Sequence, residues 1–312
     1  MKTSLLGSNE IRLMSKIQKG RTEARILLEL LIIFSLILIH TKHFIPFWTL
    51  PLVLFLIAGR QHALLVLMHE STHKRVSKNK FYNDLVGELI AWNFLAFMQG
   101  YRRHHYAHHV LENLNTMKDP DWSRKQNYQW MFPMAGIDFI KMMVRDVLLL
   151  NTKDYWQEMK DAKNNVIETK SEKYWMTARI TYYIVLLFTL SFFGLWKIWL
   201  LYWMLPIFSF LKAIFRIRSI ADHFCTRNDH ELSRTRTVIS SWWDRILIGP
   251  CSIGVHGIHH LYPSVPYYNL RKTHELLMGN QVYATRSHIT YGYHAAILEC
   301  IKPLEIKKEC TV

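Results

Sequence analysis

Eight histidines stand in three groups of similar spacing: His69 and His73 in "HESTH", His105, His108 and His109 in "HHYAHH", and His256, His259 and His260 in "HGIHH". His104 is an alternative first member of the second group. Neutral imidazole is a ligand for zinc, copper, nickel and iron alike, so the residue type points to a transition metal without choosing one. Histidines four apart on a helix share a face. Taken alone, "HESTH" reads as the zinc-protease motif, with Glu70 as general base. That site needs three protein ligands and one open position, and eight histidines exceed it severalfold. Two metal ions would use them. A lone histidine is ordinarily solvated or hydrogen-bonded, but three boxes in one chain make metal binding the better reading.

The elements that must position these boxes follow from hydropathy. The chain has 312 residues, 50% of them hydrophobic, and a formal net charge of +15. Such a balance suits a membrane protein as readily as a nucleic-acid-binding one, and the distribution decides. Ile26 to Ile39 is apolar except for Glu29 and Ser35, and Phe44 to Gly59 carries no charge. Trp175 to Leu195 has only Arg179, and Ile198 to Leu211 has none. A bilayer takes about 17–25 such residues to cross. The expected fold is therefore an all-α membrane protein, with transmembrane helices at about residues 24–41, 44–68, 174–195 and 197–215 in two hairpins. Pro46 and Pro51 fall in the first turns of the second, where proline is tolerated, whereas Pro206 should kink the fourth. Lys and Arg crowd ahead of the first span and only Lys42 lies between the first two, which predicts cytoplasmic termini and a cytoplasmic polar middle. No cleavable signal peptide is expected. One domain over 1–312 results, with a cytoplasmic helical cap of residues 69–173 and 216–301 holding the histidines and a frayed tail at 302–312. Helices are expected within the cap at Leu85 to Met98 and Ile137 to Leu150. The basic excess then serves anionic headgroups, and no nucleic-acid partner is expected. Cys225, Cys251, Cys300 and Cys310 have no C-x-x-C spacing, so neither a zinc knuckle nor an iron–sulfur set is present.

Box order, box spacing, "DPDW" after the second box and "HHLYPSVPYYNL" around the third resemble the membrane fatty acid desaturase and hydroxylase superfamily, the histidine-box non-haem di-iron enzymes. The resemblance runs from about Gly59 to Leu277. It implies a di-iron site, molecular oxygen as co-substrate and a lipid or fatty acyl substrate. It also implies a ninth ligand: family members often carry Glu-His or Asn-x-x-x-His where the fourth helix leaves the bilayer, and "KAIFRIRSIADH" places Asp222 and His223 there, with Ser219 where the asparagine would fall. A tenth ligand is left open. Oxygen chemistry requires a redox metal, which excludes zinc. The whole pattern, particularly the third box and its continuation, is similar to bacterial-type desaturases, which favours desaturation. Hydroxylation, ketolation and oxidative decarboxylation to an alkene belong to the same superfamily and stay open. A non-enzymatic metal-binding membrane protein would place ionisable groups within its spans, whereas these boxes fall outside them.

Other polar residues have two readings each. Arg60 and His62 lie at the membrane edge, where they either meet a substrate headgroup or ligand-supporting groups or snorkel, and Arg60 is placed to pair with Glu29. Glu70 either supports a ligand or belongs to a solvated face. Asp119 and Asp121 flank Pro120, a turn signal, and could accept hydrogen bonds from ligand histidines, as could Asp222. His40, His43, His230, His274, His288 and His294 lack box spacing. The sequence contains no dinucleotide fingerprint, no four-cysteine cluster set and no H-P-G-G haem motif. Electrons should therefore come from a separate donor, a ferredoxin or b-type cytochrome with its reductase, docking on the basic cap.

Overall fold

The computed structural model describes residues 5–121, 128–151 and 169–302. Trp122 of "DPDW", residues 152–168 of the expected cap and all but the first residue of the expected tail lie outside the described residues. The described chain is mostly helical. After a short helix α1 (Ser8–Met14), the first apolar run forms α2 (Arg21–Thr41) and the second forms α3 (Leu50–Thr72), entered through a 3₁₀ turn at Phe47–Thr49. Two shorter helices follow, α4 (Lys80–Asn93) and α5 (Met98–His108). Then come α6 (Gly136–Val147) and α7 (Lys170–Phe192), the third apolar run.

The fourth apolar run, Trp196–His223, changes register on the way. It is π-helical over Trp199–Met204, α-helical over Leu205–Phe208, and restarts as α8 (Phe210–His223) after Ser209, whose φ −109° and ψ −98° break the helix. Pro206 sits between the wide turn and the break. Proline lacks an N–H and crowds the carbonyl four residues back, and a π-bulge is a common local accommodation beside such a kink. Among the described residues, four runs are thus long and apolar enough to cross a membrane. They differ in surroundings. The second and fourth are 67% and 50% buried over their most apolar windows, the first and third only 17% and 11%. The centre of the core is accordingly α3, whose Leu54, Ile57, Leu64 and Leu67 pack with Ile33 of α2, Ile90 of α4 and Ile207, Leu211 and Ile214 of the fourth run. Leu31, Phe34 and Leu38 on α2 and Ile184 and Phe188 on α7 face outward, which suits association with a bilayer.

Beyond the fourth run the chain forms α9 (Trp242–Leu247), α10 (His256–Leu261), α11 (Tyr267–Leu277), α12 (Gln281–Arg286) and α13 (Tyr293–Leu298). Strands, absent from the all-α expectation, occur as two short parallel pairs, β1 (Met134–Ala135) with β4 (Ile301–Lys302) and β2 (Arg236–Ile239) with β3 (His288–Tyr291). The second pair supports α10: a Cβ on Gly257 would come 2.7 Å from Thr237 Oγ1, so only glycine permits this approach. Helix bounds in the expected cap also shift. The helix expected at 85–98 begins instead at Lys80, because the Asn79 side chain accepts from Tyr82 N at 2.9 Å and caps it. Its end comes before Leu95, which has φ +57°; likewise α6 stops before Leu149, at φ +63°.

Polar ties fix the helices to one another. Arg60 donates to Glu29 at 3.1 Å and Arg25 donates to the same carboxylate at 2.6 Å, joining α2 to α3. Gln61 donates to Trp203 O at 2.8 Å, joining α3 to the fourth run. Asp146 of α6, fully buried, accepts from Arg216 of α8 at 3.2 Å, and Lys212 lies 3.6 Å away. Removing one member of a buried ion pair leaves the other charge unpaired and costs about 3–5 kcal/mol. Asp146→Ala should therefore lower the thermal unfolding midpoint of the detergent-solubilised protein markedly, whereas Asp138→Ala, an exposed partner of Lys141 at 3.8 Å, should leave it unchanged.

Candidate metal centre

Four helix ends bring the three boxes together. His69 lies in the last turn of α3 and His73 caps its C-terminus. α5 carries His105 and His108, with His109 as its cap. His223 is the last residue of α8, and His256, His259 and His260 make up half of the single-turn helix α10.

The nine rings fall into two groups. His69, His73, His105, His109 and His259 form one, and His108, His223, His256 and His260 the other; within each, one ring nitrogen per residue lies within 4.8 Å of all the others. His105 Nε2 is 2.8 Å from both His69 Nε2 and His73 Nε2. In the second group His256 Nε2 is 2.8 Å from His223 Nε2 and 3.0 Å from His260 Nε2. The groups touch, since the His109 and His260 rings stack with centroids 4.3 Å apart. Mutual hydrogen bonds do not account for the convergence, because one Nε2 proton serves one neighbour at a time. His259 Nε2 and both nitrogens of His109 are buried without a hydrogen-bond partner. Buried polar atoms in that condition require an explanation, and a shared cation would supply it.

Electrostatics favour the neutral form in most of the nine rings. Burial, reinforced by neighbouring positive groups, pushes His73 down to about 3 and His109 down to about 2. His105, His256, His259 and His260 are held well below the ordinary histidine range by burial first and by one another second. Their lone pairs are free at neutral pH, as metal ligation demands.

Carboxylates stand behind the second group. His108 Nδ1 lies 2.9 Å from Asp119 Oδ1, which also accepts from Asp121 N at 3.0 Å. His256 Nδ1 is 3.8 Å from Asp222, itself ion-paired with Arg218 at 2.8 Å but without hydrogen-bond alignment. His104 lies outside both groups, bonding Asp121 at 2.9 Å with a side chain 39% exposed. Register explains this: His105 and His109 share one helical face, and His104 is turned toward the loop.

Glu70 is buried and accepts from Tyr267 N at 3.0 Å, the first N–H of α11. It therefore belongs to no solvated face, and it ties the first box to the segment following the third. Arg60 joins Glu29 rather than the histidines. His62 is fully buried, seven residues before His69, with its ring 4.9 Å from Phe215 and neither nitrogen in a well-formed hydrogen bond.

Sequence reasoning missed the clamp that spaces the first two boxes. Arg102 donates to Thr72 O at 3.1 Å, to Ser71 O at 2.8 Å and to Asp84 Oδ1 at 2.7 Å. Tyr106, one turn on, donates to Thr72 O at 2.7 Å. These carbonyls are at the negative end of α3, without intrahelical partners. Glu88 holds the other end of α5, accepting from Met98 N at 3.4 Å and Gln99 N at 3.1 Å, and burial raises its carboxyl to about 7. The available signal was the i, i+4 spacing of Arg102 and Tyr106 on the side of α5 that also carries His105 and His109.

Comparison with known proteins agrees with this arrangement. The family model described as fatty acid desaturase matches residues 46–293. The chain is 24% identical over 253 residues to dihydrorhizobitoxine desaturase of Bradyrhizobium elkanii, covering 77% of this chain and 71% of that protein. It is 24% identical over 242 residues to the sn-1 oleoyl-lipid 12-desaturase of Arthrospira platensis, covering 72% and 67%. The sn-1 acyl-lipid omega-3 desaturase (ferredoxin) of Nostoc sp. (strain 36) is also 24% identical, over 260 residues covering 76% and 70%. Nine histidines converging at four helix ends and a family match across most of the sequence have one common reading: the chain is an oxidoreductase of the fatty acid desaturase family.

Proposed function

We propose that this protein is an oxygen-dependent desaturase that introduces a double bond into a fatty acyl chain, lipid-linked or as a thioester. It spans the membrane four times in two hairpins, with termini and histidines on the cytoplasmic side. The observation carrying the proposal is the pair of adjoining groups of convergent imidazoles, most of them buried. His69, His73, His105, His109 and His259 would hold one iron, and His108, His223, His256 and His260 the second. Two irons supplied with oxygen and electrons provide the power to remove hydrogen from an unactivated C–H bond.

The chain's own residues do the rest. Asp119 accepts the Nδ1 proton of His108, which fixes the tautomer and leaves Nε2 to ligate. Behind His256 stand Asp222, 3.8 Å from its Nδ1, and Arg218, whose guanidinium lies 3.4 Å from the same nitrogen and 2.8 Å from Asp222, so this ion pair backs the ring. Burial of the rings keeps water from the reacting carbon. The relatives' names share the formation of a double bond but not one substrate, so they support the reaction more strongly than the chain it acts on. One of those names specifies ferredoxin, which favours a small separate donor. A net charge of +15 suits electrostatic docking of an acidic partner.

Two outcomes follow. Mass spectrometry of lipids from expressing cells, compared with a His69→Ala control, should reveal acyl chains two hydrogens lighter; a gain of one oxygen, or a terminal alkene one carbon shorter, would replace desaturation with hydroxylation or decarboxylation. Asp119→Ala should weaken iron binding about 10- to 100-fold, measured by competition with a chelator, with Asp119→Asn intermediate because it still accepts from Nδ1.

A further inference from the structure

The segment just before the third box, expected in the cytoplasmic cap, contains α9 with an apolar face turned outward. Trp242 and Trp243 are 55% and 58% exposed and Ile246 39%. We infer that this face meets the hydrocarbon of the bilayer: α9 is a membrane-inserted helix that docks the metal centre's third box against lipid. The inference rests on the membrane-spanning reading above and goes beyond it.

Depth along α3 carries the argument. The apolar run Phe47–Thr72 has 26 residues and is about 39 Å long at 1.5 Å per residue. A hydrocarbon layer is about 30 Å thick. Gly59 lies about 18 Å from the start of the run. Wherever a layer of about 30 Å is placed within that helix, Gly59 stays inside it, at least about 9 Å from either edge. α9 lies directly against this position: a Cβ on Gly59 would be 3.2 Å from Ile246 O and 3.3 Å from Leu247 O. Those two residues are therefore at hydrocarbon depth, and their neighbours on α9 within one helical turn of it.

The form of the segment is the one lipid demands. No water is available in the layer to satisfy free N–H and C=O groups, so backbone facing lipid must be helical and irregular backbone must be covered by protein. The outward-facing part, Trp242–Leu247, is helical, and the irregular part that follows, Gly249 to Cys251, is buried, with Cys251 in the core beside α3. Two adjacent tryptophans and an exposed arginine, Arg245, are the side chains that settle where hydrocarbon meets headgroups. Eight residues separate Leu247 from His256, so the third box hangs from a helix in contact with the layer that holds acyl chains.

Nitroxide labels test this on the full chain in vesicles of phosphatidylcholine and phosphatidylglycerol, with Cys225→Ser and Cys310→Ser leaving the buried Cys251 and Cys300 as the remaining native thiols. A label at Ile246→Cys should be relaxed more by oxygen than by a water-soluble nickel chelate, as at Phe34→Cys on the outward face of α2, and opposite to Lys272→Cys on α11. Water contact at Ile246→Cys alone overturns the inference and leaves the spanning reading standing; water contact at both Ile246→Cys and Phe34→Cys overturns both. Unlabelled protein gives an independent reading. The paired change Trp242→Phe and Trp243→Phe should reduce the share of tryptophan emission quenched by lipids brominated in their acyl chains, and an unchanged quenched share would contradict the inference.

Discussion

Nine imidazoles must be held close together, most of them buried, with one nitrogen of each aimed inward, and most of this structure answers that demand. A buried polar atom without a partner costs about 1–3 kcal/mol, and His69, His109, His259 and His260 each have at least one such atom. No isolated helix would tolerate the arrangement. The rings are kept in place by groups that have satisfied partners of their own, and the clearest is the clamp at the end of α3. Arg102, Tyr106 and Asn83 together supply donors to the Ser71 and Thr72 carbonyls. The helix end is thereby satisfied and locked to α5 at the point where His69, His73 and His105 meet.

The other two helix ends are set from further away. α8 delivers His223, and Arg216, two turns earlier on the same helix, anchors it to the buried Asp146 of α6. α10 delivers three rings and is too short to stand alone; β2 supports it through Gly257, and Glu70 joins its neighbour α11 to α3. The clamp and the ion pairs involve chain-distant residues, so the site and the core form one cooperative unit rather than a site placed on a finished scaffold.

How much of this the sequence disclosed follows from the range of the interactions. The three boxes were legible because their ligand spacing is local, and the apolar runs because hydropathy is a property of consecutive residues. His104 and His105 were indistinguishable, since each has a partner four residues on; only the rotation of α5 turns His105 inward and leaves His104 to Asp121. Glu70 could not be assigned because its partner, Tyr267, is 197 residues away. The ends of α4 and α6 were misplaced because leucines, Leu95 and Leu149, occupy the left-handed positions where glycine or asparagine would have signalled a stop. The short parallel strand pairs left no alternating pattern long enough to read.

The central claim is that the two groups of rings hold two irons, and metal analysis with X-ray absorption at the iron edge tests it most directly. The intact protein should contain about two irons per chain, surrounded chiefly by nitrogen. His259→Ala should reduce iron in the five-ring group while His223→Ala should reduce it in the four-ring group, each variant keeping about one. Two irons retained in both variants, or a sulfur-dominated or zinc-only site in the intact protein, would contradict the account.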